Sequence, residues 1–326
     1  MRYSTIRQLT GQFPVRRMCQ VLEVSRGGYY DWLRRPKSQR AREDRRLGVE
    51  IRALFMKSHR RYGSPRIHRG LRHQGIRCSR KRVARLMRQE GLHARRRRRF
   101  RVTTRSEPKR PVAPNLLNRR FTVSAPNTVW MGDLSYLWTL EGWLYLAVLM
   151  DLCSRMIVGW AVSDRMEDEL TLDVLNRAIE QRQPGRGVMH HADRGSQYTS
   201  SEYLDKLQEH GFKVSMSRKG DCWDAAPMES FFSRLKEELG DCFLSRAAAR
   251  GELFQYIEVF YNRQRLHSSL DYMTPAQFER ACRAGADRSA AAVETDATVE
   301  IAARFPPPLG QRGAFPTSSH STTTTT

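Results

Sequence analysis

A chain of 326 residues with a formal charge of +23 is long enough for two or more domains, each with its own core. The charge is uneven: residues 1–110 carry 34 Lys and Arg against 7 Asp and Glu, while residues 111–326 carry 23 against 27. A first third this basic points to a polyanionic partner, most simply nucleic acid, with a merely supercharged soluble surface as the alternative. The six cysteines, Cys19, Cys78, Cys153, Cys222, Cys242 and Cys282, make no C-x-x-C pair, which argues against a zinc ribbon or a disulfide framework. No apolar leader opens the chain, and the longest apolar run, residues 143–150, is too short to span a bilayer. The expected setting is the reducing cytoplasm, in association with the nucleoid and with no membrane.

In chain order, Pro14 precedes an apolar-periodic segment through Leu22. Ser25 is placed to cap a helix through Tyr29, Tyr30 and Trp32 that stops before Pro36. Together these outline a first helix–turn–helix, residues 1–46. A second, helix–turn–helix-like domain, residues 47–105, opens with a helix from Leu47 to about His59. Ser64 is the expected N-cap of the next helix, with Pro65 at its first position and Gly75 past its end. Ser79 caps a third, closed by Gly91, in which Val83, Leu86 and Met87 share one face. Arg80, Arg82, Arg85 and Arg88 cover its other faces, which suits a helix lying in a DNA groove. A small bundle with a solvated basic face would carry the same pattern. The domain ends in a basic arm, residues 94–105, too self-repulsive to pack alone.

Residues 106–120 read as a linker, Pro-rich over 106–115. From 121 the pattern changes to three apolar strands in an antiparallel meander, then helix, strand, helix, strand and helix. The expectation for residues 121–281 is an α/β domain around a mixed five-stranded sheet, preceded by all-α units. Residues 282–326, Ala- and Pro-rich and ending in a run of Thr, are expected to be disordered.

Three acids in this α/β region invite a chemical reading. Asp133 lies among strand residues, Asp193 ends a short strand just before Gly195, and Glu229 opens a helix. Glu229, Ser233 and Lys236 fall at i, i+4 and i+7, beside a stripe of Met228, Phe231, Phe232, Leu235 and Leu239. Carboxylates from two strands and a helix can hold two divalent cations that clamp the attacking and leaving oxygens of a phosphoryl transfer. Each acid also has a structural alternative: Asp193 could cap a turn, Asp133 could pair with an Arg, and Glu229 could be a first-turn acid favoured by the helix dipole.

The segments VWMGDLSYL, LAVLMDLCSRMIVGW, HHADRGSQYTS, GDCWDAAPMESFFSRLKEEL and YNRQRLHSSLDYMTP, in this order, resemble the integrase catalytic core of bacterial insertion-sequence transposases of the downstream-frame (OrfB) type. RRYGSPRIHRGLRHQGIRCSRKRVARLMRQEGL is similar to the second helix–turn–helix element of the same family. Between Asp193 and Glu229 lie 35 residues, the separation in that family's Asp-Asp-Glu signature. The resemblance covers about residues 10–280 and implies a ribonuclease H-like fold. It further implies that Asp133, Asp193 and Glu229 are catalytic ligands of two magnesium or manganese ions, and that Lys236 contacts DNA near the reacting phosphate. Asp221 and Asp224 are expected to order the loop before the Glu229 helix, and Glu237 and Glu238 to form a solvated last turn.

Four positions depart from the family pattern. Ala225 stands where Asn is usual, Gly132 where Thr is common, Ala192 where Ser is common, and Asp271 where Gly is common. None removes a ligand, but Ala225 puts the order of the 220–228 loop in question, since Asn could hydrogen-bond backbone there. The expected function is DNA transposition, with cleavage at element ends and strand transfer, against the alternative of a catalytically silent DNA-binding relic or regulator. The expected partners are the terminal inverted repeats, target DNA, further copies of the chain and an upstream-frame (OrfA-type) protein.

Overall fold

The computed structural model describes residues 2–36, 38–94, 112–218, 221–240 and 242–284. The basic arm from residue 95, the first part of the Pro-rich linker and the tail from residue 285 lie outside the described residues. The chain divides into two compact units: Met1–Thr104 with Ser230–Leu244, and Arg105–Glu229 with Ser245–Thr326. Among the described residues no helix is long and apolar enough to cross a membrane.

The first unit contains helices α1 (Arg2–Leu9), α2 (Val15–Val21), α3 (Arg26–Arg34), α4 (Gln39–Lys57), α5 (Ser64–His73) and α6 (Arg80–Gln89). Ile6, Met18, Cys19 and Tyr29 form a small core for the first three, with Tyr3 and Trp32 packed against it. The Ser25 hydroxyl caps α3 by accepting the N–H of Gly28 at 3.0 Å, and Ser79 caps α6 by accepting that of Arg82 at 3.2 Å. α4, α5 and α6 pack together through Leu47, Ile51, Phe55, Ile67, Leu71, Val83, Leu86 and Met87, all buried.

Two sequence expectations shift here. α4 begins not near Leu47 but after Ser38, whose hydroxyl accepts the N–H of Ala41, so the domain boundary expected at 46/47 falls inside one continuous helix. The hydrophobic face begins late because the first two turns are polar, and the cap rather than the periodicity marks the start. At α5 the N-cap is Gly63 with no side-chain bond, and Ser64 is already helical.

The second unit is built on strands β1 (Val129–Thr139), β2 (Gly142–Asp151), β3 (Ile157–Ser163), β4 (Met189–Ala192) and β5 (Lys213–Met216). They hydrogen-bond in the order β3-β2-β1-β4-β5. β1–β2 and β2–β3 are antiparallel; β1–β4 and β4–β5 are parallel. Helices α7 (Asp168–Arg182) and α8 (Ser201–Glu209) supply the crossovers. α9 (Ala226–Leu239) is divided between the units after Glu229. α10 (Arg246–Phe254) runs into a π-helical stretch, Gln255–Tyr261, and α11 (residues 275–284) ends the described chain. The meander and the helix–strand alternation agree with the sequence reading.

One core joins α7 and α8 to the sheet, through Trp130, Ala147, Leu149, Val158, Leu175, Ala178, Tyr203 and Leu207. Gly159 lets α7 approach β3 closely. A Cβ there would stand 2.7 Å from the Val174 carbonyl oxygen and 3.0 Å from Ala178 Cβ. The C-terminal helices are locked on by polar groups. The Asn262 side chain pairs with Ile157 as a strand would, accepting its N–H and donating to its C=O, both at 3.0 Å. Arg182 donates two bonds to buried Glu279, at 2.7 and 2.8 Å.

The expected linker, residues 106–120, is not a free tether at its described end. The Ser215 hydroxyl on β5 accepts the N–H groups of Leu116 and Leu117, at 2.9 and 3.3 Å, and Met216 donates to the Pro114 carbonyl at 3.3 Å. Leu117 is buried. Proline content marks an extended path but not what lies beneath it, so composition alone read this docked segment as linker.

Gly159→Ala should destabilise the second unit by roughly 1–3 kcal/mol, because a carbonyl oxygen and a helix backbone must move to admit the methyl. A denaturant titration should show a lower midpoint at an unchanged slope. An unaltered midpoint would mean that α7 does not pack as closely as described.

Candidate active site

Pairing between β1 and β4 brings the first two acids together. Trp130 lies opposite His190 and Met131 opposite His191. The same offset carried two residues further sets Asp133 opposite Asp193, just past the end of β4, on strands that run about 4.8 Å apart. Both are half-buried. Asp133 accepts the N–H of Leu134 at 2.8 Å, and Asp193 accepts that of Gly195 at 2.9 Å. Burial raises the Asp193 pKa, against the lowering effect of the Gly195 bond. The buried Tyr198 phenol is also pushed well up, by burial first and then by the charges of Tyr203, Asp133 and Asp193. One ring thus feels both carboxylates.

Gly132 has a local reason. A Cβ there would stand 3.1 Å from Tyr198 Cε1 and 3.3 Å from His190 Nε2, closer than side chains ordinarily come. The neighbours on β4 are uncharged. His190 Nε2 meets the Tyr203 hydroxyl at 2.8 Å, and His191 is held between Ser215 and Ser217 at 2.9 and 3.1 Å. Burial lowers the pKa of His190 to about 3 and that of His191 to about 4.

Glu229 arrives from the loop before α9. A 3-10 turn, Cys222–Ala225, runs directly into the helix at Ala226. Asp224 is its fixed point. Fully buried, it accepts the Arg218 N–H at 2.9 Å, the Arg218 guanidinium at 2.7 and 2.9 Å, Arg119 at 2.9 Å and the Asn115 amide at 2.8 Å. The Arg218 guanidinium, followed by its backbone N–H and Arg119, holds this carboxyl far below the usual range against the opposing effect of burial. Asp221 pairs with Arg119 and accepts the Trp223 N–H at 3.2 Å. Both acids order the loop, as expected, and do so without the Asn that Ala225 replaces. Arg119 and Asn115 were not anticipated; an Asn and an Arg about a hundred residues upstream carry no local signal of this role.

On α9, Glu229 is exposed in the first turn, and partial loss of hydration raises its pKa. Met228, Phe231, Phe232 and Leu235 are buried as expected, and Leu239 half-buried. Lys236 is half-buried two turns on along the Glu229 face. The last turn differs from expectation: Glu238 is buried, and Glu237 bonds Arg234 at 2.5 Å. Charge alone marked these residues as solvated, whereas the helix turns Glu238 inward. Among the described residues, no three His, Cys, Asp or Glu side chains converge on one point as a metal cage. The β1–β4 offset, carried two residues on, aligns Asp133 with Asp193. Their oxygen-only donor set fits a hard divalent cation.

The four arginines of α6 separate into two pairs. Arg82 reaches Asp44 on α4 at 2.6 Å and Glu43 at 3.3 Å, and Arg85 reaches Asp44 at 2.7 Å. Bonds from Arg85 and then Arg82 hold the Asp44 pKa low. These two arginines therefore clamp α6 to α4. Arg80 and Arg88 are exposed, as is Lys81.

Comparison with known proteins agrees with this architecture. A family described as an integrase core domain matches residues 123–222, a second integrase core description matches residues 210–275, and an HTH-like domain matches residues 41–100. The chain is 46% identical over 263 residues to the insertion element IS600 uncharacterized 31 kDa protein of Shigella sonnei, covering 80% of this chain and 97% of that one. It is 42% identical over 283 residues to the transposase InsF for insertion sequence IS3A of Escherichia coli K12, covering 86% and 98%. Among solved structures, the HTLV-2 integrase catalytic core domain in complex with magnesium (trimeric form) is 15% identical with a TM-score of 0.36, over 48% of this chain and 97% of that one.

Two outcomes follow from this geometry. Because His190 and His191 are held neutral, the unfolded chain takes up protons first as pH falls. Their contribution to stability is complete above the ordinary histidine value of 6.5 and is lost as pH falls towards about 4. Urea midpoints should therefore drop between about pH 7 and pH 5, and His191→Gln should flatten that drop. A midpoint independent of pH would contradict burial of the neutral rings. Separately, Asp44→Ala should lower the melting temperature while tightening DNA binding at low salt, with a steeper salt dependence as Arg82 and Arg85 are released. Binding isotherms across a salt series measure this, and an unchanged slope counts against it.

Proposed function

The chain belongs to the IS3-type insertion-sequence transposases with an integrase core, and we propose that it cuts and joins DNA with Asp133, Asp193 and Glu229. It is a polynucleotidyl transferase and binds DNA through its helix–turn–helix region; the α/β unit has the ribonuclease H-like integrase-core fold. The observation that supports this reading of the site is the β1–β4 register, whose offset, carried two residues past Met131 and His191, aligns Asp133 with Asp193. Ligands gather in such a crevice at strand ends.

In this reading the three acids hold two divalent cations, magnesium or manganese, which supply an activated water and charge stabilisation at the phosphate. The protein's own part is positional. The sheet fixes Asp133 and Asp193, the Asp224 loop fixes the start of α9, and Lys236 meets a DNA phosphate two turns beyond Glu229. A 3′-hydroxyl freed at the element end then displaces a second phosphodiester oxygen in line, so no protein nucleophile is required. Arg80, Lys81 and Arg88 on α6 contact the terminal repeats. Two ends must be held at once, which calls for a multimer on DNA, and an upstream-frame protein is a further partner.

Glu229→Gln preserves size and the buried stripe but offers the metal a neutral amide. End cleavage and joining with magnesium should fall by orders of magnitude, as should activity of Asp133→Asn and Asp193→Asn, while binding to duplex DNA is retained. Glu202→Gln, an exposed acid on α8, is the control. Near-normal joining by Glu229→Gln, or an equal loss by Glu202→Gln, would remove Glu229 from the site.

A further inference from the structure

Asp224 sits five residues before Glu229, in a 3-10 turn continuous with α9, so whatever pins Asp224 also sets where Glu229 begins its helix. Two anchors reach it from different directions. Arg218 is the second residue past β5: the N–H of Ser217 donates to the Ala192 carbonyl at 2.9 Å, and Arg218 then grips Asp224 with its backbone and guanidinium. Arg119 comes from the segment that Ser215 holds through Leu116 and Leu117, and it binds both Asp224 and Asp221. Ser215 lies opposite His191 on the neighbouring strand, two residues before Asp193.

A path of named bonds therefore runs from the strand that presents Asp193, across β5 to residues 116–119, and on to the turn that presents Glu229. We propose that Arg119 is a positioning residue that references Glu229 to the sheet carrying Asp193. Arg218 holds both oxygens of Asp224; Arg119 adds a second bond to Oδ1 and pairs with Asp221, so the turn is tied to residues 115–119 as well as to the end of β5. Because Asp193 and Glu229 come from elements far apart in sequence, their separation depends on how the turn before α9 is tied to the sheet, and Arg119 is one of those ties. The proposal rests on the reading of Glu229 as a metal ligand.

Arg119→Ala leaves Asp224 its bonds to Arg218 and Asn115, so the full chain should fold with little change in melting temperature. Manganese binding to the full-length protein by calorimetry should weaken severalfold. Strand-transfer turnover at saturating DNA should fall about tenfold, the scale of a modest misplacement of reacting groups. DNA affinity at fixed salt should be unchanged, and Arg119→Lys should recover part of the manganese affinity. In a Glu229→Gln background, Arg119→Ala should weaken manganese no further, because the ligand it positions is gone.

The proposal is overturned if Arg119→Ala leaves manganese affinity and turnover intact. It is equally overturned if the variant loses DNA affinity in proportion to activity, which would make Arg119 a DNA contact, or if its effect on manganese persists undiminished in the Glu229→Gln background. Failure of the underlying reading looks different: Glu229→Gln alone would then bind manganese and join DNA as the unaltered chain does.

Discussion

Two aspartates set side by side by parallel strands are the constraint around which the α/β unit is arranged. Carboxylates about one strand spacing apart repel, and burial at a sheet end strengthens the repulsion. Several of their neighbours are uncharged. The residues before Asp193 on β4 are histidines held neutral, Tyr198 stays protonated, and Gly132 leaves room for that ring against the strand. Backbone N–H groups from Leu134 and Gly195 orient one oxygen of each acid. Both acids offer hard oxygen donors, the kind that a divalent cation takes up.

The third acid is positioned by another kind of interaction. Asp224 is buried and charged, and such a group is tolerated only when its lone pairs are filled and its charge is matched. Two arginines, an asparagine and a backbone N–H do this. The filling of these lone pairs from two segments of the chain is what orders the turn. Ala225 therefore needs no polar side chain: the work that an Asn could have done is performed one residue earlier.

The same chemistry recurs in the first unit, where Asp44 draws Arg82 and Arg85 out of the basic face of α6. A strongly basic composition thus serves two ends. Part of it is matched internally and holds helices together, and part stays exposed for phosphates. Counting arginines overstates the number open to DNA, because each acid on a neighbouring helix claims one or two.

By itself the sequence determined the element types and their order, because burial of one face imposes period two on strands and 3.6 on helices whatever the surroundings. Caps at Ser25 and Ser79, the meander over β1 to β3, and the candidate acids Asp133, Asp193 and Glu229 could all be read that way, the acids with the help of their spacing and family likeness. Tertiary structure alone decided what depends on long-range partners. Residues 114–119 read as linker until Ser215 and Asp224 were seen to bind them, and the ion pairs of Arg82 and Arg85 with Asp44 had no signal in the sequence. Glu238 read as solvated, and the helix turns it inward. In each case a side chain's role was set by a group more than about a dozen residues away or by which way a helix face turned, and local periodicity holds no record of either.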